Sequence, residues 1–261
     1  MAEITLSTKE CLLAAAKLGA KKFFGLSDPF FGMPIEEVRR EIGELQLSME
    51  KKGYADVGFD DVFALKPAVA ELMTLCTGCD SYLLGQLMAP GEKERQVVIY
   101  AGKAGFARAC VCGETVTLAH VEEGAISQTL LDEMRPSASG SNAPVSTQVK
   151  QSDLAQVQSL AIDDPGAAEA QLAGQGCPAP ISEILVQGFR KETGCYAFFH
   201  TDLQARSLTQ MIALLGGSGA VCMTLENADE DLWTAQYLPG GITAEVLEPI
   251  CPWKGDGHEV R

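Results

Sequence analysis

The 261 residues are 46% hydrophobic, enough for a sizeable core without staples, and fit one large domain or two small ones. Twenty Lys and Arg against 35 Asp and Glu leave a formal charge of -15, which repels phosphate backbones and anionic membrane surfaces and argues against nucleic-acid binding. Nine cysteines are an odd number in a chain too long for a disulfide-dense scaffold, so reduced thiols in the cytoplasm are expected. Met1–Glu10 lacks a signal-like apolar run and no 18 apolar residues follow one another, so no membrane insertion is expected.

Ile4–Leu6 is short and apolar, and Ser7 or Thr8 then caps a helix through CLLAAAKLGA, with Glu10 close behind and Gly19 at the end. Phe23, Phe24, Phe30 and Phe31 flank Asp28-Pro29 in a loop too apolar to stand free in water, so it is expected to fold over the core. Pro34 suits a first helical position, and Ile35, Val38, Ile42, Leu45 and Met49 recur at helical spacing up to Gly53. A short strand at Tyr54–Asp56 and a helix over Val62–Cys76 complete a unit similar to a winged helix. The DNA-reading form wants Lys and Arg on its recognition helix, where Val62–Cys76 offers only Lys66.

Gly78 and Ala89–Glu94 break the pattern before Gln96–Val121, three strands hinged at Gly102/Lys103 and Gly113/Glu114, whose partial alternation buries one face and in places both. A helix over Ala125–Met134 follows and Pro136 stops it. Pro136–Val145 is rich in Pro, Ser, Gly and Asn and carries no charge, so the chain divides into an amino-terminal half (1–136), a linker (137–150) and a carboxy-terminal half (151–261), packed as one domain. Asp153–Ile162 reads as a short helix and Asp163–Ser182 as a mobile loop or weak helix.

Ile184–Arg190 and Cys195–Thr201 read as strands around a turn at Lys191–Gly194. Leu208, Met211, Ile212 and Leu215 then stand at helical spacing before Gly216-Gly217. Ala220–Leu225 and Asp231–Leu238 form a further hairpin, Ile242–Ile250 the last helix, and Trp253 is the tail residue expected to dock. Setting residue i beside i+117 aligns Glu114 with Asp231, Val116 with Trp233, Val121 with Leu238, Gly124 with Gly241 and Leu130 with Leu247. The expected fold is therefore α+β, a duplicated unit with two quasi-equivalent halves about a pseudo-two-fold axis.

Four thiolates close a zinc shell, which makes Cys76-Thr-Gly-Cys79 with Cys110-Val-Cys112 the sharpest chemical candidate. The spacing is poor for it: one pair ends a helix, the other shares a strand face, and buried or incidental thiols are the plainer reading. A thioredoxin-type pair wants CxxC opening a helix, whereas Cys76 and Cys79 follow one. His120 and His200 sit near strand ends, and Cys195, five residues before His200, points to the opposite strand face, so a local dyad is not expected. The GGSG at Gly216–Gly219 lacks the Lys and Ser/Thr of a phosphate loop. No cofactor is expected.

The LSTKECLLAAAKLGA helix, EEVRREIGELQLSMEKKGYAD, the FALKPAVAELMTL helix and the VVIYAGKAGFARACVCGETVTLAHV meander come in a familiar order. With GFRKETGCYAFFHTD and EDLWTAQYLPGGITAEVLEPI later on, the chain resembles the EspG family of ESX (type VII) secretion-associated proteins over most of its length. The resemblance implies an antiparallel sheet with helical bundles, and a cytosolic chaperone that holds a helical secreted substrate soluble. The function expected is thus a non-enzymatic protein-binding chaperone or adaptor. The competing readings are a winged-helix-like regulator, which a basic face of Arg39, Arg40, Lys51 and Lys52 would favour, and an enzyme using Cys195, His200 or the paired cysteines. The partner surface is expected on a helix carrying Leu208, Met211, Ile212 and Leu215, together with the turn at Lys191 and Glu192.

Overall fold

The computed structural model describes residues 3–20, 22–58, 62–134, 143–227 and 232–253. Packing divides the chain into two compact units. One is Met1–Leu84 with Gln96–Glu123 and Asp202–Ala205; the other is Gly85–Arg95 with Gly124–Thr201 and Arg206–Arg261.

In the first unit, strand β1 (Ile4–Ser7) runs straight into helix α1 (Thr8–Lys17) through a capping box. Ser7 Oγ accepts from the Glu10 N–H at 3.1 Å while Glu10 Oε2 accepts from the Ser7 N–H at 2.6 Å. The aromatic loop folds inward only in part: Phe23 is buried and Phe24 stacks on Tyr82 at 4.7 Å, but Phe31 is 89% exposed. Helix α2 (Ile35–Lys51) has Pro34 as its cap residue rather than in its first turn, and Met49 is its one fully buried side chain.

The helix expected over Val62–Cys76 is divided. Strands β2 (Ala55–Val57) and β3 (Phe63–Leu65) pair antiparallel, and helix α3 (Pro67–Thr77) starts only after Lys66, which Pro67 holds extended at φ -63°, ψ 147°. Strand β4 (Ser81–Met88), to which the sequence pattern assigns nothing, leads into the expected meander of β5 (Arg95–Gly102), β6 (Gly105–Cys112) and β7 (Thr115–Val121). Their order is β1-β7-β6-β5-β4, with Gly102 opposite Gly105 and Cys112 opposite Thr115 at the two turns. Val97, Val98, Ile99 and Tyr100 are all fully buried, so β5 is covered on both faces.

The second unit holds α4 (Ile126–Met134), β8 (Val145–Lys150), α5 (Gln151–Asp163), α6 (Pro165–Gly174) and α7 (Ala179–Phe189). These are followed by β9 (Gly194–Asp202), β10 (Ser207–Gly216), β11 (Gly219–Asn227), β12 (Leu232–Leu238) and α8 (Ala244–Leu247). Strand order is β9-β10-β11-β12-β8. The expected linker contains β8, paired with β12 from Val145–Tyr237 to Lys150–Leu232; its residues 137–142 lie outside the described residues, as does the 228–231 turn.

Of the two readings of Asp163–Ser182, mobile loop or weak helix, the helix forms: Asp164 caps α6 by accepting from the Ala167 N–H at 2.9 Å, and Pro165 and Pro178 suit helix starts. Two expectations are overturned here. Ile184–Arg190 is helix α7, not a strand, with Ile181, Ile184, Leu185 and Val186 buried against β10, β11 and β12. Leu208–Leu215 is strand β10, not a helix, pairing Met211 with Thr224 and Leu215 with Ala220. The last helix is short, because Pro249 and a 3-10 turn at Glu248–Ile250 end it; Trp253 docks edge-on against His200 at 5.1 Å.

Two runs of elements share one order. A strand enters helices directly (β1 into α1, β8 into α5), then α3 or α7 precedes a four-strand meander whose last strand pairs with the opening one. The bounds of β7 and β12 are offset by 117 residues at both ends, the spacing read from the sequence.

Candidate functional site

All nine cysteines are thiols. Cys76 and Cys79 close α3 inside the core, whereas Cys110 is half-buried and Cys112 exposed on β6. Among the described residues no three His, Cys, Asp or Glu side chains gather closely enough to hold a metal ion. Burial pushes the thiol of Cys11 up to about 12 and that of Cys79 to about 11, and raises that of Cys76 well above its ordinary value, with neighbouring Cys11 and Cys79 adding to it. Such thiols stay protonated and are poor nucleophiles.

Alternation along β9 sends Cys195 into the cluster around α7 and His200 to the other face, beside Trp253. Burial raises the Cys195 thiol as well. His120 Nε2 lies 3.8 Å from Glu71 Oε1, on the surface of α3. Chemistry between Cys195 and His200 is therefore not what β9 arranges.

The winged-helix features lose their basic partner surface. Helix α3, which would enter a groove, buries Val69, Leu72, Met73, Leu75 and Cys76 in the core. Arg39 pairs with Glu36, Arg40 with Glu37, Lys52 with Glu10 and Lys66 with Asp56. Those charges are met within the chain, whereas Lys51, the remaining member of the expected basic face, is exposed and makes no ion pair among the described residues.

Because β10 is a strand, the residues expected on one helix face are shared between two. Leu208 and Ile212 fall on one side, Ile212 against the cluster that holds Val186 and Leu214; Met211 and Leu215 fall on the other. Met211 is 1% exposed, a core residue, and Leu208 at 55% is the fully accessible member. The turn before β9 presents Lys191, in a left-handed conformation at φ 60°, and Glu192, whose carboxylate is 2.8 Å from Arg190 Nε. Lys191, Glu192 and Leu208 are thus the solvent-facing part of that set.

Two concavities accompany these surfaces. In the first unit an apolar groove of about 590 Å³ runs between α1, α2 and the aromatic loop, lined by Leu12, Leu13, Phe24, Phe30, Val38 and Ile42. In the second a more polar pocket of about 350 Å³ is framed by Arg95, Met134, Thr193, Tyr196 and Leu215. The KETG stretch reads in sequence only as a turn and gives no sign of this pocket, because the walls come from four separate segments.

Antiparallel strands backed by helices make this an α+β protein, and its fold is similar to that of an EspG chaperone. One solved structure with this fold is that of the type VII secretion system chaperone EspG5 of Mycobacterium tuberculosis, in complex with a PE25-PPE41 dimer. The likeness covers 97% of this chain and 95% of that one at a TM-score of 0.68 and 14% identity. HtdX of the same organism superposes at a TM-score of only 0.15 and carries no argument. No family model and no curated protein matches the sequence.

Proposed function

We propose that this protein is a non-enzymatic chaperone or adaptor of a type VII (ESX) secretion system, which holds a helical secreted protein soluble in the cytoplasm. The observation that carries the reading is the agreement of fold along nearly the whole of both chains with a chaperone captured on its PE25-PPE41 partner. Buried, protonated thiols and the answered basic charges support it against the enzyme and the regulator. No described helix is long and apolar enough to cross a membrane, in keeping with a cytoplasmic carrier. The shared order of elements in the two runs supports an internal duplication, and Lys191, Glu192 and Leu208 are assigned to the partner surface.

The test is co-purification of the tagged protein with small helical secreted proteins encoded beside its gene. A stoichiometric complex is expected, weakened at least about tenfold by Leu208→Asp, since losing an apolar anchor costs about 1.4 kcal/mol or more. A folded Leu208→Asp variant that binds as tightly would remove Leu208 from the surface, and no complex with any neighbour-encoded secreted protein would sink the chaperone reading.

A further inference from the structure

Helix α2 carries more apolar surface than the first unit itself uses. Ile35, Val38, Ile42, Leu45 and Met49 recur along one side of its 17 residues, yet Met49 alone is fully buried. Val38 and Ile42 instead help to wall the groove of about 590 Å³ between α1, α2 and the aromatic loop. Lys9 fixes those walls together: its ammonium is 2.6 Å from Glu41 Oε1 on α2 and 5.8 Å from the centre of the Phe30 ring. Covering such a groove removes apolar area from water, and exposed apolar surface gathered in one place marks an interaction site.

A projecting residue stands beside the concavity. Phe31 is 89% exposed, and Ile35, one turn before Val38, is 66% exposed. The turn that presents Phe31 is pinned by the backbone. The Phe31 N–H donates to the Asp28 carbonyl at 3.3 Å, the Phe30 N–H to Asp28 Oδ1 at 2.9 Å and the Met33 N–H to the Phe30 carbonyl at 3.0 Å. A ring already held in place loses little freedom when a partner covers it. An apolar hollow next to an apolar projection is self-complementary, because a two-fold axis brings the projection of each copy to the hollow of the other.

Charge points the same way. From the first residue of α1 to the last of α2, residues 8–51 hold seven Lys or Arg (9, 17, 21, 22, 39, 40, 51) and seven Asp or Glu (10, 28, 36, 37, 41, 44, 50), a balance of zero in a chain of charge -15. Two copies that repel one another elsewhere meet here without that penalty, and a strongly basic partner gains nothing from this face.

We propose that this face of the first unit pairs with the same face of a second copy of the chain, Phe31 of each seated in the other's groove against Val38 and Ile42. The dimer goes beyond the chaperone reading, and the chain alone tests it without any secreted protein.

The experiment is sedimentation equilibrium of the full chain at about 150 mM salt, where surface charges are screened beyond roughly 8 Å. A reversible monomer–dimer equilibrium with a micromolar dissociation constant is expected, in keeping with a small interface. Phe31→Ser raises that constant about a hundredfold, since the symmetric interface contains Phe31 twice and each lost anchor costs about tenfold. Ile42→Gln makes the groove wall polar and weakens the dimer about tenfold or more. Mixing the two variants is the sharper arm, because one intact ring then meets one intact groove. Fluorescently labelled Phe31→Ser is expected to bind Ile42→Gln about tenfold more tightly than it binds itself. Thermal melting confirms that both variants fold, and Val38→Gln takes the place of Ile42→Gln if that one does not. A chain that stays monomeric at several hundred micromolar would overturn the proposal and leave the groove to a helical partner. A dimer indifferent to Phe31→Ser, or a mixture no tighter than Phe31→Ser alone, would overturn it as well.

Discussion

The Lys52 ammonium stands 2.6 Å from Glu10 Oε2, tying the end of α2 to the start of α1 around a carboxylate that is 2% exposed. Ser48 Oγ donates to Glu10 Oε1 at 2.8 Å and the Ser7 N–H to Oε2, so the buried charge is met from three sides. Lys52→Met leaves that charge with the two weaker partners. Lys52 is 39% exposed and water screens it, so the expected loss is about 1–2 kcal/mol rather than the 3–5 kcal/mol of a fully buried pair. Urea denaturation checks this; an unchanged midpoint would show that water replaces the ammonium at no cost.

The same carboxylate sets a pH dependence. Burial by itself raises the Glu10 pKa, but Lys52, the Ser7 N–H and the Ser48 hydroxyl outweigh it and hold the group below its ordinary 4.5. A lowered folded pKa means stability that is fully present above the unfolded value and lost as the pH falls through the folded one. The stability gap between the parent and Glu10→Gln is therefore expected to hold constant above about pH 6 and to narrow below 4.5. Parallel urea titrations at several pH values measure it, and a gap that widens on acidification would contradict the assignment.

Thiol accessibility follows the burial pattern. Cys112 is exposed, whereas burial lifts Cys222 to about 12 and Cys251 to about 11 from an ordinary 9.0, the latter offset in part by Ser127. Burial of that strength cuts the thiolate population roughly a hundredfold or more before access is considered. With a disulfide reagent at about pH 8, Cys112 is expected to react first and all nine cysteines only in denaturant. Rapid native labelling of Cys11 or Cys222, read by peptide mass mapping, would show that the cores open readily.

Much of this fold is legible where local chemistry and tertiary environment agree. The Ser7–Glu10 box, the repeat of Ile35 to Met49 and the glycine hinges of the meander all form as their residues dictate. The reading fails where an apolar run satisfies two periods at once. Ile184–Arg190 lies on a helix whose Gly188 admits Leu214, a side-chain carbon there coming within 2.9 Å of Leu214 Cδ1, while 208–215 alternates along a strand. Strand β4 is hidden because its inward positions include Ser81 and Gly85, while Tyr82, Leu84 and Met88 lie on the alternate positions, inverting the usual contrast.

Asp164 terminates α5 and caps α6, its Oδ1 accepting from the Ala167 N–H at 2.9 Å. Removing the cap by Asp164→Ala is expected to cost about 1 kcal/mol, and Asp164→Asn much less, because the amide oxygen caps nearly as well. Both are measured by denaturant midpoint. If Asp164→Asn were as damaging as Asp164→Ala, the carboxylate would matter through its charge and not through the cap.

Gly25 and Gly32 share a left-handed backbone at φ +81°, yet they stand in different surroundings. A side-chain carbon on Gly25 would come 2.5 Å from Val98 Cγ2, and Val98 is fully buried in β5; one on Gly32 would meet nothing within 4 Å. Gly32→Ala therefore suffers only the left-handed strain, about 1–2 kcal/mol. Gly25→Ala carries the same strain and in addition pushes into a branched side chain that cannot swing away, a further 1–3 kcal/mol or so of overpacking. Because the backbone term is common, the difference between the two variants isolates how tightly the aromatic loop is pressed onto the strand. Equal losses in urea denaturation would mean that the loop lifts off Val98 without penalty, and the Phe23–Phe24 segment would then be a loose cover rather than part of the core.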